Sequence, residues 1–337
     1  MKFRFCLILL AGSLALAGCS KKPSPPTKQA GNPADDKLTV VDLTRYYAEP
    51  LGGDMASIAR RQIIDGVVFH IDGRIVTYGQ SQANWDNRGN PSAKDDPTRY
   101  PNRSGIPVGR AFEELHLIHG TFWPDVEGET IAHIRLNYAD GTTAELPIIY
   151  GGHVRDFQRI RTEEKELLTD PNSKIIWRGE GIADFKSTQR LFKSMLLNPH
   201  PEKTVNTLDI ISTRRLAAYQ ILAISTADHD PNRPVTPEAP ADEPERHFDD
   251  KVTIRVLDDA GMPVAHALVQ PYMNVDGPGM VAAPFYTDAS GEGVIHYPKE
   301  RTSWMSLSVT SEGYRRVYTN FSGTFPPTAT LQLVRQQ

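Results

Sequence analysis

Apolar and polar residues alternate most regularly between residues 108 and 157, and the rest of the chain is read outward from that stretch. Ile134, Leu136 and Tyr138 fall on one side of an extended run at 131–138, with His133, Arg135 and Asn137 on the other. That period of two predicts a strand with one face on a core and one toward water or a neighbour. A second run at 143–150 follows Ala139-Asp140-Gly141-Thr142. Asp-Gly between two alternating runs signals a hairpin, expected here as the central hairpin of a β domain. The same pattern predicts strands at 38–43 and on through 63–71, where Val67, Phe69 and Ile71 share a face, then at 112–118, 174–178, 189–197, 205–212 and 217–225. Asp72-Gly73 and the segment from His119 to Pro124 read as turns, residues 161–168 as the one stretch of helical composition, and 78–107 as a long polar loop. About eight or nine strands separated by turn signals predict a sandwich or jelly roll.

Residues 227–247 carry Pro, Asp and Glu without an apolar period, which predicts an extended, semi-rigid linker. Asp228, Asp230 and Asn232 begin like a calcium loop, but Arg233 and Ala239 stand where its Gly and Glu belong, so no metal is expected there. Alternation resumes at 252–257, at 263–270 and at 293–297, 304–310, 315–321 and 328–334, with Asp258 to Gly261 and Asp288 to Gly291 as turns. That spacing predicts a second, smaller β-sandwich over 248–337. The expected fold class is therefore all-β, in two domains.

The N-terminus must be set apart from both. Lys2 and Arg4 precede a short apolar run at 5–17 that ends in Leu16-Ala17-Gly18-Cys19, the makings of a secretory signal over residues 1–18. The run falls short of the ~20 residues that span a bilayer. Residues 20–37 hold Pro, Lys, Ser and Asp with no apolar residue beyond Ala and predict a tether of about 20–25 Å as a flexible coil. Of the two cysteines, Cys6 leaves with the signal and Cys19 lies at its end, so disulfides, thiolate metal sites and cysteine nucleophiles are not expected in the folded part. The formal charge of −4 becomes two units more negative when Lys2 and Arg4 are lost, and no basic block offers a footprint for nucleic acid.

Three resemblances extend this. Leu16-Ala17-Gly18-Cys19 resembles the lipobox of bacterial lipoproteins, which implies cleavage before Cys19, acylation of that residue and a membrane partner through the lipid. Ser20 after the Cys implies the outer membrane over the inner by the sorting rules of such proteins. Residues 66–73 (GVVFHIDG), 115–121 (LHLIHGT), 138–142 (YADGT), 148–157 (IIYGGHVRDF) and 198–201 (NPHP) resemble a galactose-binding-like jelly-roll module over 38–226. That module implies carbohydrate or protein-surface binding. Residues 259–264 (DAGMPV) with Ala267 and Val269, 287–291 (TDASG) and Gly313-Tyr314 resemble the carboxypeptidase regulatory-like, prealbumin-type sandwich, which implies a structural or adhesive spacer. Val264, Ala267, Val269 and Val309 would fill its inter-sheet core.

Against that frame the candidate chemistry is sparse. His116 and His119 lie three apart, so on a strand they point to opposite faces and do not share a metal unless the strand bends. No nucleophile elbow, phosphate loop or dinucleotide fingerprint occurs, so no catalytic residue and no cofactor is assigned. For sugar binding, aromatic plates with planar polar groups at the rim are the useful types. The candidate ligand residues are His119, Trp123, Arg155, Asp156 and Trp177, with Trp85 as a further ring. If the hairpin at 131–150 is central, Trp123 and Arg155 leave from the end opposite Asp140-Gly141. The expected role is a non-catalytic envelope-anchored binding protein whose partner is a glycan or an envelope protein; a scaffold lipoprotein with protein partners only, or a glycan-processing hydrolase, are the alternatives.

Overall fold

A computed structural model describes residues 39–51, 53–58, 60–86, 100–159, 168–180, 188–239, 249–275 and 280–336. Cys19 and the tether, residues 161–167 of the predicted helical stretch, and residues 240–248 with the end of the predicted linker lie outside the described residues. Among the described residues no helix is long and apolar enough to cross a membrane. The fold is all-β, built of antiparallel sheets packed as sandwiches.

In the first sandwich a large sheet runs in the order Glu49–Pro50, Gly73–Val76, Ala218–Ala227, Glu114–Phe122, Thr188–Leu197, Ser173–Glu180, with Gln158–Arg159 added beside Thr188–Leu197. Facing it is a four-stranded sheet in the order Arg103–Arg110, Val205–Ser212, Thr130–Tyr138, Thr143–Ile149. The arrangement fits a jelly roll. Leu115, Leu117, Phe192, Tyr219 and Ile221 meet Ile106, Ile134, Leu136, Leu208 and Ile210 between the sheets. The other side of the large sheet is covered too: the hairpin of Arg60–Ile64 and Val67–Ile71, with the 3-10 helix Gly53–Ile58, packs Phe69 and Ile71 onto Ile118, Leu191 and Leu222. Glu114–Phe122 is therefore buried on both faces, and its polar members must find partners inside the protein.

The predicted hairpin is present, with Leu136 opposite Ala144 and Ile134 opposite Leu146. Asp140 accepts the Thr142 N–H and hydroxyl at 2.9 and 2.6 Å, and Gly141 takes the left-handed φ of 83° that this turn requires. It is not central, however, since Thr143–Ile149 is an edge strand. The middle of the domain is Glu114–Phe122, which continues straight through the predicted turn at His119 because Gly120 and Thr121 pair with Gln220 and Tyr219. The run at 63–71 is likewise two strands, folded at Asp65-Gly66 with φ of 52° and 67° at the two turn residues. The polar stretch at 78–107 carries the helix Gln80–Asp86 and the start of the strand Arg103–Arg110.

The second sandwich sets Glu292–Tyr297, Asp250–Leu257 and Thr328–Gln332 against Met280–Val281, Leu268–Val275, Thr302–Thr310 and Val317–Ser322, with Phe285–Tyr286 beside Leu268–Val275. Val264, Ala267, Val269 and Val309 lie in its core as expected, with Ile254, Met305 and Leu307. The second strand begins at Leu268, five residues later than the sequence suggests; Pro263 makes an isolated bridge to Leu257. Arg215 of the first sandwich reaches the second, donating to the Tyr286 hydroxyl at 3.0 Å while Asp125 and Glu129 hold its other nitrogens.

Candidate functional site

The C-terminal end of Glu114–Phe122 is where the large sheet is sewn to the chain that follows the hairpin. Thr121 donates its N–H to the Arg155 carbonyl (3.2 Å), its own carbonyl accepts from Phe157 (2.7 Å), and the Phe157 carbonyl accepts from Arg190 (2.8 Å). This stitch sets three rings in a row across the outer face. Phe122 meets Phe157 edge-on at 6.2 Å between centroids, and Phe157 stacks on Trp177 at 6.4 Å with 10° between planes. Trp177 Nε1 donates to Ser57 Oγ at 3.2 Å. Phe122 and Trp177 are half-buried.

Beside the rings lies an unusual amide. Gln220 is wholly buried, and no protein group hydrogen-bonds to its Oε1 or its Nε2. Its side chain occupies the space left by Gly120, where an added Cβ would come within 3.0 Å of Gln220 Nε2 and 3.6 Å of Phe157 Cβ. A buried amide without partners costs roughly 1–3 kcal/mol. Arg74 stands two residues from Val76, the cross-strand neighbour of Gln220, and carries its guanidinium to 4.8 Å above the Phe122 ring, so its side chain passes over the Gln220 row. Glu49, half-exposed, pairs with Arg74 from the edge strand.

The five residues singled out in the sequence are distributed around this end. The parallel bridge between Thr121 and Asp156 does bring Trp123 and Arg155 to one end of the domain, away from Asp140-Gly141. Trp177 belongs to the ring row. Trp123 sits at a left-handed φ of 70° and donates Nε1 to Gln82 Oε1 of the short helix at 3.1 Å, half-buried against it. Arg155 is 1% exposed, paired with both carboxylate oxygens of Glu127, and Asp156 accepts the Gln158 N–H at 3.1 Å, as a turn-capping carboxylate does. His119 is enclosed between the sheets: Nδ1 meets the Tyr219 hydroxyl at 2.8 Å and Nε2 the Ser194 hydroxyl at 2.9 Å. Burial, with His153 nearby, pushes its pKa down to about 3. Arg155, Asp156 and His119 are thus interior groups, held by Glu127, Gln158, Tyr219 and Ser194. Trp85's side chain lies outside the described residues.

A second polar cluster lies under residues 228–239, the described part of the predicted linker. Asp65 accepts from Lys174 Nζ and Lys193 Nζ, both at 2.6 Å, and from the Thr236 N–H at 2.7 Å. Glu114, 2% exposed, takes His116 at 2.9 Å, His229 at 3.0 Å and the Arg233 guanidinium. Ala239 then donates to the Ile175 carbonyl at 2.9 Å. The segment is a strap laid on the sheet, because the buried carboxylates beneath it need its donors. Burial raises and the Arg233 and His229 hydrogen bonds lower the Glu114 pKa, the second effect winning. Burial, then Lys193, brings His116 down to about 4, so it is a neutral donor to Glu114. Arg233 occupies the centre of this group, and among the described residues no His, Cys, Asp and Glu set is arranged to hold a metal. As read from spacing, His116 and His119 face opposite sides of the sheet.

No protein-family profile matches this sequence, and no curated protein matches it. Among solved structures, 3-chlorocatechol 1,2-dioxygenase from Rhodococcus opacus 1CP is similar over 26% of this chain and 60% of its own, at 13% identity and a TM-score of 0.21. Wild-type catechol 1,2-dioxygenase from Acinetobacter radioresistens gives 15% identity over 26% of this chain and 53% of its own, with a TM-score of 0.21. A double mutant of the shaft pilin SpaA from Lactobacillus rhamnosus GG is similar over 66% of this chain and 98% of its own, at 10% identity and a TM-score of 0.21. The match thus spans a little over half the length of those dioxygenases.

Proposed function

We propose that this chain is a non-catalytic binding lipoprotein of the cell envelope, anchored through Cys19, whose galactose-binding-like first sandwich takes a carbohydrate at the Phe122, Phe157 and Trp177 row. The tether at 20–37 holds it clear of the membrane, and the carboxypeptidase regulatory-like second sandwich follows it in the chain as a spacer. The observation behind the reading is Gln220: a buried amide with two donors and an acceptor unpaired, next to stacked rings, matches a ligand that offers hydroxyl groups beside an apolar face. The ligand would displace Arg74 from above Phe122. That step is easy, since the pair holding Arg74 to Glu49 is partly exposed and such pairs are worth about 1 kcal/mol or less.

Gln220→Met separates binding from folding. Removing an unsatisfied amide from a buried position in favour of a similar apolar shape is expected to raise stability by about 1–2 kcal/mol. Glycan-array binding should fall about tenfold in the same variant, corresponding to ~1.4 kcal/mol of lost contact, and further in Trp177→Ala. Retention of every glycan bound by the parent in both variants would remove the site; protein partners in a pull-down with no glycan bound would favour the scaffold role instead. The anchor is tested apart from this. Cys19→Ser is expected to leave the protein without lipid and in the soluble periplasmic fraction, and membrane association unchanged by that substitution would dismiss the lipobox.

A further inference from the structure

The two outer faces of the second sandwich differ in kind. On the Asp250–Leu257 sheet the outward positions include Lys251, Arg255, Glu292 and His296, with Arg255 and Glu292 paired at 2.6 Å. On the opposite sheet, Leu268–Val275, Thr302–Thr310 and Val317–Ser322 run side by side, and three rows of outward residues cross all three strands in register. Ser306 stands between Tyr272 and Asn320, Trp304 is flanked by Asn274, and Ser308 adjoins Tyr318. All nine positions are Gln, Asn, Ser, Tyr or Trp, in a chain that is 23% charged overall. Complete lack of charge over three strands of a water-facing sheet sets this face apart from its partner.

We infer that this uncharged face is a second binding site, for a neutral polysaccharide, built separately from the Gln220 site of the first sandwich. The grid measures roughly 14 by 10 Å from strand rise and spacing. Aromatic rings stand at both its ends: Tyr272 and Trp304 meet edge-on at 5.8 Å at one, and Tyr318, 62% exposed, lies at the other. Pyranose rings present apolar C–H faces to such aromatics and hydroxyls around them. Amide and hydroxyl groups between the rings answer those hydroxyls, and two of them, Asn274 Oδ1 and Ser308 Oγ, are screened from water with no protein partner. Among the described residues of this face an acidic polymer would find no cation except Arg316 at the rim, which donates to the Tyr318 hydroxyl at 3.2 Å. A neutral chain loses no charge hydration on such a surface, so its electrostatics suit this face best.

Native-gel retardation of the full mature chain in soluble β-glucan, dextran and alginate tests the inference. Mobility should fall in at least one neutral glucan and stay unchanged in alginate. Ser306→Glu, placing a charge mid-grid on a half-exposed position, and the pair Trp304→Ala with Tyr318→Ala should each weaken retardation tenfold or more at unchanged thermal midpoint. Gln220→Met should retain it in full, which keeps this site's outcome apart from that of the first sandwich. No retardation of the parent in any neutral glucan, stronger retardation in alginate, or full retardation of both face variants would each overturn it.

Discussion

Taking the purified protein from pH 7 to about pH 4.5 is expected to cost about 5 kcal/mol of stability, through two histidines that stay neutral in the fold. Burial lowers His119 to about 3 and His116 to about 4, whereas an unfolded histidine titrates near 6.5. The unfolded chain therefore binds more protons than the native one at every pH between those values. Stability is complete above about 6.5 and falls as the pH drops toward the folded values. Each site contributes a slope of about 1.36 kcal/mol per pH unit and the two together about 2.7, so two units of acidification cost about 5 kcal/mol. A domain has roughly 5–15 kcal/mol in all. Asp65 and Glu114, held below their usual values by the cations around them, keep their contribution above the ordinary carboxylate range and lose it only at still lower pH, adding to the same trend. Thermal midpoints measured from pH 7.5 to 4.5 check this, and His116→Gln should halve the slope. A midpoint flat from pH 6.5 to 5 would contradict the burial of both rings.

The strands were legible in the chain because alternation survives wherever one face is wet, as in Thr130–Tyr138 and Asp250–Leu257. Where both faces are buried, alternation fails. Glu114–Phe122 reads as ending at Ile118 because His119, Gly120 and Thr121 are turn-like residues, yet Gly120 lies in the sheet to make room for the Gln220 amide. The Asp-Gly signal is similarly local. Asp140-Gly141 and Asp65-Gly66 both turn hairpins, whereas Gly73 opens the strand Gly73–Val76. Of the candidate site, Trp177 and the shared end of Trp123 and Arg155 could be anticipated from strand order. Gln220 could not, because its environment is set by Gly120, 100 positions earlier in the chain, and by a guanidinium arriving from Arg74. The strap was missed for the same reason: composition at 228–239 shows Pro and charge, while the partners that dock it, Asp65 and Glu114, are 171 and 119 residues away from Thr236 and Arg233.

That docking makes Asp65→Asn the substitution with the largest expected effect on the first sandwich. Asparagine tolerates the left-handed φ of 52° at the hairpin turn, so the change isolates the charge from the backbone. Burial alone would raise the Asp65 carboxyl, but Lys174 and Lys193 outweigh it and hold it below the usual range. Lys193 is 5% exposed, so its ammonium depends on Asp65 for compensation. Removing one partner of a buried ion pair costs about 3–5 kcal/mol because the remaining charge is left uncompensated. The lower figure is expected here, since the Lys174 ammonium is more exposed and can turn outward. The strap should respond before the fold does. Thr236 loses its charged acceptor, residues 228–239 are then held less firmly, and a glutamate-specific protease should cut after Glu238 faster than in the parent at a temperature where the sheets remain intact. A thermal midpoint and a cleavage pattern both equal to the parent's would show that Asp65 holds neither the lysines nor the strap.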